Sequence, residues 1–246
     1  MNPELYQKRH KAMHVNYGYL LAGAQAARGI AVIIDVFRAF TCTPLMFSLG
    51  LKKSILVSQP NEALALKRRN QDYILVGEVG GLPIEGFDLG NSPSEILKQK
   101  PSYFSGKTAV QRTSSGVQGA LTALEGADEV VVASYNIARA TARYILSKQP
   151  AQVSLVAMGW DLKERAPEDD WCARYIAHLL GKGEYSHDQA MREIVFHRTA
   201  QRFLGADEAK FPPEDPVLCL QRNVYNYALI AQLEHKAVII HRKDIS

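Results

Sequence analysis

The sequence predicts a three-layer α/β/α fold with a mainly parallel sheet and a C-terminal antiparallel hairpin. Short apolar runs alternate with helical patterns from residue 29 to residue 158, and this alternation implies right-handed crossovers between parallel strands. The first run, residues 30–35, is apolar on both faces until its final Asp, as expected for a strand buried on both sides. Residues 225–231 and 237–241 instead alternate apolar and polar side chains, which indicates a closing antiparallel hairpin.

The individual elements follow from the same patterns, taken in chain order. The predicted strands of the parallel part are residues 30–35, 54–58, 73–77, 108–111, 129–133 and 152–158. Helices are predicted at residues 38–49, from residue 60 onward, and at 94–100, 115–125 and 137–148. Two of these helices have a proline at the start, Pro60 and Pro93, where the missing N–H costs nothing. Two further helices are predicted at residues 169–180 and 188–203, and the proline-rich residues 211–216 are interpreted as a stiff connector.

Length and composition are those of a soluble globular protein. The chain has 246 residues, of which 47% are apolar and 22% charged. Because we find no repeat and no convincing linker, we expect a single α/β domain over residues 1–246. Two closely packed halves, about 1–125 and 126–246, are the alternative.

Charge and cysteine content narrow the expected partners. The net charge is 29 − 25 = +4, and the basic run at residues 67–69 suits a helix end better than a nucleic-acid site. No apolar stretch is long enough for a membrane span, and the N-terminus lacks the apolar core of a signal peptide. Cys42, Cys172 and Cys219 are widely spaced in apolar surroundings. We therefore expect a cytoplasmic protein with buried thiols, no nucleic-acid or membrane partner, and a homodimer left open.

Acidic residues stand where apolar strands end. Asp35 ends the first strand, and a lone carboxylate there is costly to bury, so it requires a cation such as Mg²⁺, an arginine, or a role as a helix cap. Arg38 follows one turn later and is interpreted either as a clamp for phosphate or carboxylate or as the partner of Asp35. Glu78 repeats the arrangement of Asp35 after the strand at residues 73–77. It leads into the glycine-rich loop of residues 85–93, which contains Asp88 and Asn91.

Two more polar clusters follow predicted strands. Residues 112–116 (Arg-Thr-Ser-Ser-Gly) lie between a strand and a helix, where free N–H groups bind anions, although a plain N-cap is the alternative. This cluster lacks the spacing of a P-loop or a Rossmann turn. Residues 168–170 (Glu-Asp-Asp) either complement a helix dipole or supply Mg²⁺ with carboxylate ligands. The histidines show no zinc-protease spacing, and no Gly-x-Ser-x-Gly elbow accompanies them.

Taken together and in order, these segments resemble the 2-phosphosulfolactate phosphatase family (ComB-like proteins). The resemblance covers the chain from about residue 30 to the C-terminus, and its most specific part is the segment Phe87-Asp-Leu-Gly-Asn-Ser-Pro93. The other matching segments are residues 34–41, Gly77-Glu78, residues 113–116 with Gly119-Ala120, and Glu168-Asp169 with Cys172-Ala173.

The resemblance implies an Mg²⁺-dependent phosphatase acting on a small anionic phosphoester, a three-carbon acid that also bears a sulfonate. Phosphoryl transfer requires mainly that the reacting groups are aligned and that the charge on the phosphoryl oxygens is neutralised. On this hypothesis, Mg²⁺ is bound, directly or through waters, by Asp35, Glu78, Glu168 and Asp169. Asp88 or Glu78 would activate the attacking water, and Asp35 as a covalent nucleophile is the alternative. The expected substrate-binding groups are Arg38, Asn91, Arg112, Ser114, Ser115 and Gly116.

One departure from the family affects the substrate. Where the family commonly has Thr-Thr-Asn-Gly-Thr, residues 113–117 are Thr-Ser-Ser-Gly-Val. An amide and a hydroxyl are thereby lost, so the anionic end of the substrate is expected to be held differently. A phosphatase for a different phosphorylated acid and a non-catalytic binder of an anionic metabolite are the two rival functions. Residues 183–213, rich in His, Arg and Glu, receive no role from the sequence.

Overall fold

A computed structural model describes residues 13–205 and 210–245 of the chain. Its strands are β1 (His14–Tyr19), β2 (Ile30–Ile34), β3 (Lys53–Leu56), β4 (Ile74–Val79), β5 (Leu82–Pro83), β6 (Thr108–Arg112), β7 (Glu129–Ala133), β8 (Gln152–Ala157), β9 (Tyr227–Glu234) and β10 (Ala237–Asp244). Its α-helices are α1 (Leu20–Ala26), α2 (Ala39–Ser48), α3 (Pro60–Arg69), α4 (Pro93–Leu97), α5 (Pro101–Phe104), α6 (Gly116–Ala123), α7 (Ala138–Lys148), α8 (Pro167–Leu179), α9 (His187–Val195), α10 (Arg198–Gln201) and α11 (Asp215–Cys219).

The strands form one sheet in the order β1-β8-β2-β7-β9-β10-β3-β6-β4-β5. The predicted α/β class, the mainly parallel sheet and the antiparallel hairpin are confirmed. All six strands predicted for the parallel part are present, within two residues of the predicted bounds. The sequence did not predict β1, β5 or α1.

The hairpin does not close the sheet at an edge but lies in its middle. β9 pairs with β7, and β10 pairs with β3, both in antiparallel orientation. On one side of the hairpin β1, β8, β2 and β7 are parallel to one another, and on the other side β3, β6 and β4 are parallel. Three antiparallel junctions separate the two groups, so they run in opposite directions.

This reversal requires the sheet to bend. Five strand-to-strand steps separate β2 from β6, or about 24 Å in a flat sheet, and their carboxyl ends would face opposite edges. Nevertheless the side chain of Asp35, just after β2, accepts a hydrogen bond from Gly116 N, just after β6, at 2.7 Å. The sheet therefore bends at the hairpin until its two carboxyl edges meet. The regular twist of β-sheets allows such a bend.

The core follows the alternation of side chains along the strands. In β2, Ala31 and Ile33 face a cluster shared with α1, α2 and α6, while Val32 and Ile34 face a cluster shared with α7 and α8. A smaller cluster joins α3 to the outer face of β3, β4 and β6. Helices thus cover both faces of the sheet, and α2 and α6 fill the space between its two parts.

One predicted helix is interrupted. The sequence predicted a single helix over residues 188–203, but α9 ends before the exposed Phe196 and α10 begins at Arg198. His197 has an extended backbone, and its Nδ1 accepts a hydrogen bond of 3.3 Å from Thr199 N. This side-chain cap starts a new helix, which periodicity alone did not indicate. Within residues 13–205 and 210–245, no helix has both the length and the apolar character of a membrane span.

Candidate active site

A cleft opens where the two carboxyl edges of the sheet meet. Six residues predicted for the site line it: Asp35, Arg38, Glu78, Asn91, Ser114 and Ser115. They come from the end of β4 and from the loops after β2, β5 and β6. β2 runs opposite to β4 and β6 in the sheet. The sequence therefore predicted correctly that these polar clusters converge, although the bend that brings them together was not foreseen.

Asp35 lies at the floor of the cleft and is 4% exposed. Its Oδ1 accepts a hydrogen bond of 3.1 Å from Ala39 N, and its Oδ2 accepts one of 2.7 Å from Gly116 N. Burial, with a smaller contribution from the negative charge of Glu78, raises the pKa of Asp35 to about 7, although these two hydrogen bonds and the charge of Arg38 act to lower it. A carboxyl group with a pKa near neutrality can exchange a proton with a substrate or a water.

Glu78 joins two loops at the rim of the cleft. Its Oε2 accepts a hydrogen bond of 2.5 Å from Gly81 N, in the turn between β4 and β5. Its Oε1 accepts a bond of 2.5 Å from Ser114 N, and the Ser114 hydroxyl donates to Oε2 at 3.1 Å. The carboxylate thus holds the β4–β5 turn against the β6–α6 loop.

The start of α6 binds the protein's own carboxylates. Gly116 N donates to Asp35 and Ser114 N to Glu78, while Val117 N donates to Thr113 Oγ1 at 3.1 Å. The sequence predicted that Ser114, Ser115 and Gly116 cradle a substrate anion, but two of these backbone donors are already engaged. A helix N-terminus attracts the nearest anion, and here the nearest anions are these side chains. The Ser115 hydroxyl, which accepts a bond of 3.3 Å from Leu162 N, still lines the cleft.

Glu168 and Asp169 lie behind Asp35 rather than in the cleft lining. Both Asp169 oxygens accept backbone N–H groups, from Val36 at 2.7 Å and from Gly159 at 2.8 Å. Asp169 thereby holds together the ends of β2 and β8. Burial raises its pKa well above the ordinary range, and the neighbouring Asp35 and Glu168 charges add to this rise. Burial also raises the pKa of Glu168 to about 7.

Arg38 pairs with an acid that the sequence analysis missed. Its Nη1 donates to Asp215 Oδ2 at 2.8 Å, and both side chains are buried. The alternative partner, Asp35, makes no hydrogen bond to Arg38 within the described part of the chain. Asp215 had been placed in a stiff connector, and no local signal could reveal the pair because 177 residues separate the two positions. The need of a buried arginine for a carboxylate was the only available indication.

The segment without a predicted role supports the site. The Arg38 guanidinium carbon lies 5.4 Å from the ring centre of Phe203 and 5.6 Å from that of Phe211. The Thr199 hydroxyl donates to Glu168 Oε2 at 2.8 Å. Phe37 and Trp160, which were also not predicted, line the cleft and contact Phe203 and Phe211 respectively. Thr199, Phe203 and Phe211 thus form part of the wall behind the cleft.

Two further predicted residues lie at or near the cleft. Asn91 is 6% exposed, and its Oδ1 has no hydrogen-bond partner among the residues the structure describes. Arg112 braces the rim: its Nη1 donates to Glu78 O at 2.7 Å and to Ser114 Oγ at 3.3 Å. An orphaned buried acceptor is costly, so Asn91 Oδ1 calls for a ligand.

Asp88 does not join the cluster. Its Oδ2 accepts a hydrogen bond of 2.7 Å from Leu75 N, at the amino-terminal side of β4, and pairs with Lys67 at 3.0 Å. The side chain is 27% exposed and does not line the cleft. The loop that follows β4 returns along the strand, and the structure therefore separates Asp88 from the group with which the sequence had placed it.

The donors in the cleft suit Mg²⁺ only in an open form. Among the described residues, no three His, Cys, Asp or Glu side chains are arranged to hold a metal ion. This finding does not favour a closed cage of Asp35, Glu78, Glu168 and Asp169. Mg²⁺, however, usually keeps several waters and takes one or two carboxylates. Two carboxylates facing the cleft, with the orphaned amide oxygen of Asn91, fit that requirement.

Comparisons with known proteins show the family to which the chain belongs. The family model described as 2-phosphosulpholactate phosphatase matches residues 20–210. A Bacillus subtilis (strain 168) protein named probable 2-phosphosulfolactate phosphatase is 31% identical over 221 residues, which are 88% of this chain and 93% of that protein. A Deinococcus radiodurans protein of the same name is 34% identical over 164 residues, 66% of this chain and 67% of its own. The resemblance predicted from the sequence is confirmed, and the chain belongs to the 2-phosphosulfolactate phosphatase family, whose named activity is phosphoric monoester hydrolysis.

Proposed function

We propose that the protein is an Mg²⁺-dependent phosphatase that hydrolyses 2-phosphosulfolactate to 3-sulfolactate and phosphate. The observation that carries the proposal is the convergence of Asp35, Glu78, Asn91 and Arg38 in one cleft of a chain from this family. The names of its relatives support the substrate. A small anionic phosphoester needs both a cationic clamp and a way to neutralise the phosphoryl oxygens, and the cleft offers groups for each.

Glu78 and the amide oxygen of Asn91 would hold Mg²⁺, with Asp35 reaching it through water. When bound, the ion would neutralise charge on the phosphoryl oxygens and make a coordinated water more acidic. Glu168 and Asp169 would add negative charge from behind Asp35. The clustering of four buried acidic side chains beside a cleft supports this part of the proposal.

Arg38 would bind a phosphate or acid oxygen of the substrate. One guanidinium nitrogen, Nη1, is engaged by Asp215 and by Lys210 O at 3.2 Å. Nε and Nη2 make no hydrogen bond to any residue within 13–205 and 210–245, and Arg38 lines the cleft. The Ser115 hydroxyl would donate to a second substrate oxygen, taking part of the role predicted for the α6 backbone.

Asp35 would receive the proton of the attacking water at one of its carboxylate oxygens. The pKa of this group, raised to about 7 by burial, suits it to general-base catalysis near neutral pH. The alternative in which Asp35 attacks phosphorus directly would require an oxygen now bonded to Ala39 N or Gly116 N to turn toward the substrate. The two anchoring bonds favour the role as base.

Phe37 and Trp160 would limit water around the reacting phosphate. Both line the cleft, and they pack on Phe203 and Phe211 at ring-centre distances of 5.4 and 6.1 Å. A drier site strengthens the electrostatic contacts of Arg38 with an anion.

We also propose that the protein is cytoplasmic, since its three cysteines are buried free thiols.

The test is phosphate release from a panel of phosphoesters, with Mg²⁺ or with EDTA. We expect release from 2-phosphosulfolactate at a higher kcat/KM than from phospholactate, phosphoglycolate or phosphoglycerates, and loss of release in EDTA that Mg²⁺ restores. Equal rates across the panel would indicate a different phosphatase. No release from any member would indicate the non-catalytic binder, and release that EDTA does not affect would remove Mg²⁺ from the proposal.

A further inference from the structure

Asp215 does not line the cleft, but its carboxylate connects two segments that do. The residue lies outside the stretch matched by the family model, residues 20–210, and its side chain is fully buried. Its Oδ2 accepts the bond of 2.8 Å from Arg38 Nη1. Its Oδ1 accepts bonds of 3.0 Å from Ser92 Oγ and of 3.0 Å from Ser94 N. Both carboxylate oxygens are thus used, each on a different segment.

The second of these segments carries Asn91. Ser92 is the N-cap of α4, and its hydroxyl also accepts from Glu95 N at 3.3 Å. Because Asn91 immediately precedes Ser92, the carboxylate that holds Ser92 and Ser94 also fixes where Asn91 enters the cleft. Arg38 and Asn91 come from loops after β2 and β5, on opposite sides of the bend in the sheet. Asp215 is a single group that bonds to both loops.

Among the residues that the structure describes, the hydrogen bonds of Arg38 engage one nitrogen of its guanidinium, Nη1. Asp215 and Lys210 O take Nη1, and the rings of Phe203 and Phe211 lie against the group at 5.4 and 5.6 Å. Asp215 and Lys210 O thus anchor the guanidinium through this one nitrogen.

We propose that Asp215 is a positioning residue that fixes the Arg38 guanidinium and Asn91 at a set separation, so that both meet the same anionic substrate. This inference rests on the proposed function, since it assumes that Arg38 binds a substrate anion. A buried ion pair is weak evidence for stability. The bonds from Asp215 to two cleft loops give the pair a specific role in holding the anion clamp.

The experiment is a double-mutant cycle with Asp215→Asn and Arg38→Ala. The asparagine can still accept from Ser92 and Ser94, but it cannot offer both an acceptor to α4 and a carboxylate oxygen to Arg38. We measure the Kd of inorganic phosphate by calorimetry with Mg²⁺, and kcat and KM for 2-phosphosulfolactate. Asp215→Asn should weaken phosphate binding and lower kcat/KM by roughly 10- to 100-fold, the range that misplacement of a binding group produces.

The Arg38→Ala background separates positioning from general destabilisation. If Asp215 acts through Arg38, Asp215→Asn should change the Kd of phosphate and kcat/KM by less than about twofold in that background. An equal loss in both backgrounds, or wild-type phosphate binding by a folded Asp215→Asn variant, would overturn the proposal. Glu129→Gln is the matched control, because Glu129 also pairs with a cation, Lys148 at 3.5 Å, but at the amino end of β7, away from the cleft.

Two further readouts keep the outcomes distinct. Removing one member of a buried ion pair can prevent folding, and in that case Asp215→Glu replaces Asp215→Asn. The glutamate keeps a carboxylate opposite Arg38 but moves it by one methylene, so it should fold and still weaken phosphate binding about tenfold. Wild-type binding by this variant would also overturn the role. Phosphate binding by a wild-type protein that hydrolyses no phosphoester would end the proposed function alone, whereas a wild type that does neither would end both.

Discussion

The carboxylate of Asp35 accepts a hydrogen bond of 2.7 Å from the backbone N–H of Gly116, which lies 81 residues further along the chain. This bond joins the ends of β2 and β6, which run in opposite directions within the sheet. Within one part of the sheet, Asp169 accepts hydrogen bonds from Val36 N and Gly159 N and thereby ties β2 to its parallel neighbour β8. The cleft is therefore complete only when both parts of the sheet have docked around α2 and α6.

Asp35→Asn should abolish most Mg²⁺-dependent turnover while leaving the protein folded. The amide removes both the proton acceptor and one negative charge, and a missing group of this kind typically costs about 10²- to 10³-fold in kcat. The fold should persist because burial already disfavours the charged form of the Asp35 carboxyl group, as its raised pKa indicates, and the amide carries no charge. The measurement is kcat with 2-phosphosulfolactate beside the thermal unfolding midpoint. Near-normal turnover by the folded variant would refute the role of Asp35.

Gly116→Ala should disturb Asp35 although no charged residue is replaced. A Cβ at this position would lie 2.7 Å from Asp35 Oδ2 and 3.0 Å from Phe40 Cε2, so the carboxylate must move. Overpacking of this kind costs about 1 to 3 kcal/mol in the free energy of unfolding. We expect a comparable loss of stability by urea denaturation and at least a tenfold drop in kcat.

Gly205→Ala provides the matched control for that substitution. Among the residues that the structure describes, the atom that a Cβ added at Gly205 would approach is Arg202 O at 3.5 Å, an ordinary contact distance. This variant should keep wild-type stability and turnover. If Gly116→Ala behaves like Gly205→Ala, the close approach of α6 to Asp35 has no functional consequence.

The sequence predicted the elements well because each signal was local. Apolar runs, proline at helix starts and polar residues at strand ends identified all six strands of the parallel part. It also identified Asp35, Arg38, Glu78, Asn91, Ser114 and Ser115, all of which reach the cleft. Strand order is not local, and it decides which carboxyl edge each loop joins. The central position of the hairpin, and hence the bend, could not be inferred from the pattern of residues 225–241.

The errors within the site have the same origin. Asp88 lies only ten residues from Glu78, yet its side chain bonds to Leu75 N near the other end of β4. Asp215 is far from Arg38 in sequence, yet it is the partner in the buried pair. Sequence proximity thus grouped Asp88 with Glu78, whereas the buried Arg38 required an acid that only the tertiary structure reveals.

Asp88→Asn should keep turnover within about twofold of wild type. The side chain lies outside the cleft and pairs with Lys67 at 3.0 Å in a partly exposed position, where such a bridge is worth about 0 to 1 kcal/mol. The measurement is kcat/KM with 2-phosphosulfolactate, compared with Asp35→Asn prepared in parallel. A loss as large as that of Asp35→Asn would return Asp88 to the catalytic set and require the loop at residues 85–93 to move on substrate binding.

Glu168→Gln should flatten the dependence of stability on pH in the metal-free protein. Burial raises the pKa of Glu168 from its ordinary value near 4.5 to about 7, so the folded state binds its proton more tightly than the unfolded state does. The resulting stabilisation is fully present below pH 4.5 and is lost as the pH rises through 7. For this shift it amounts to roughly 3 kcal/mol at most. Gln cannot titrate, but it can still accept the Thr199 hydroxyl.

The measurement is the free energy of unfolding by urea between pH 4.5 and 8 in EDTA. The wild-type value should fall across this window, and the Glu168→Gln value should fall less. The remaining slope is due to Asp35 and Asp169, whose pKa values burial also raises. Mg²⁺ should reduce the wild-type slope as well, because a bound cation stabilises the ionised carboxylates. Parallel curves for the two proteins in EDTA would show that Glu168 is ionised throughout this pH range and that burial does not raise its pKa.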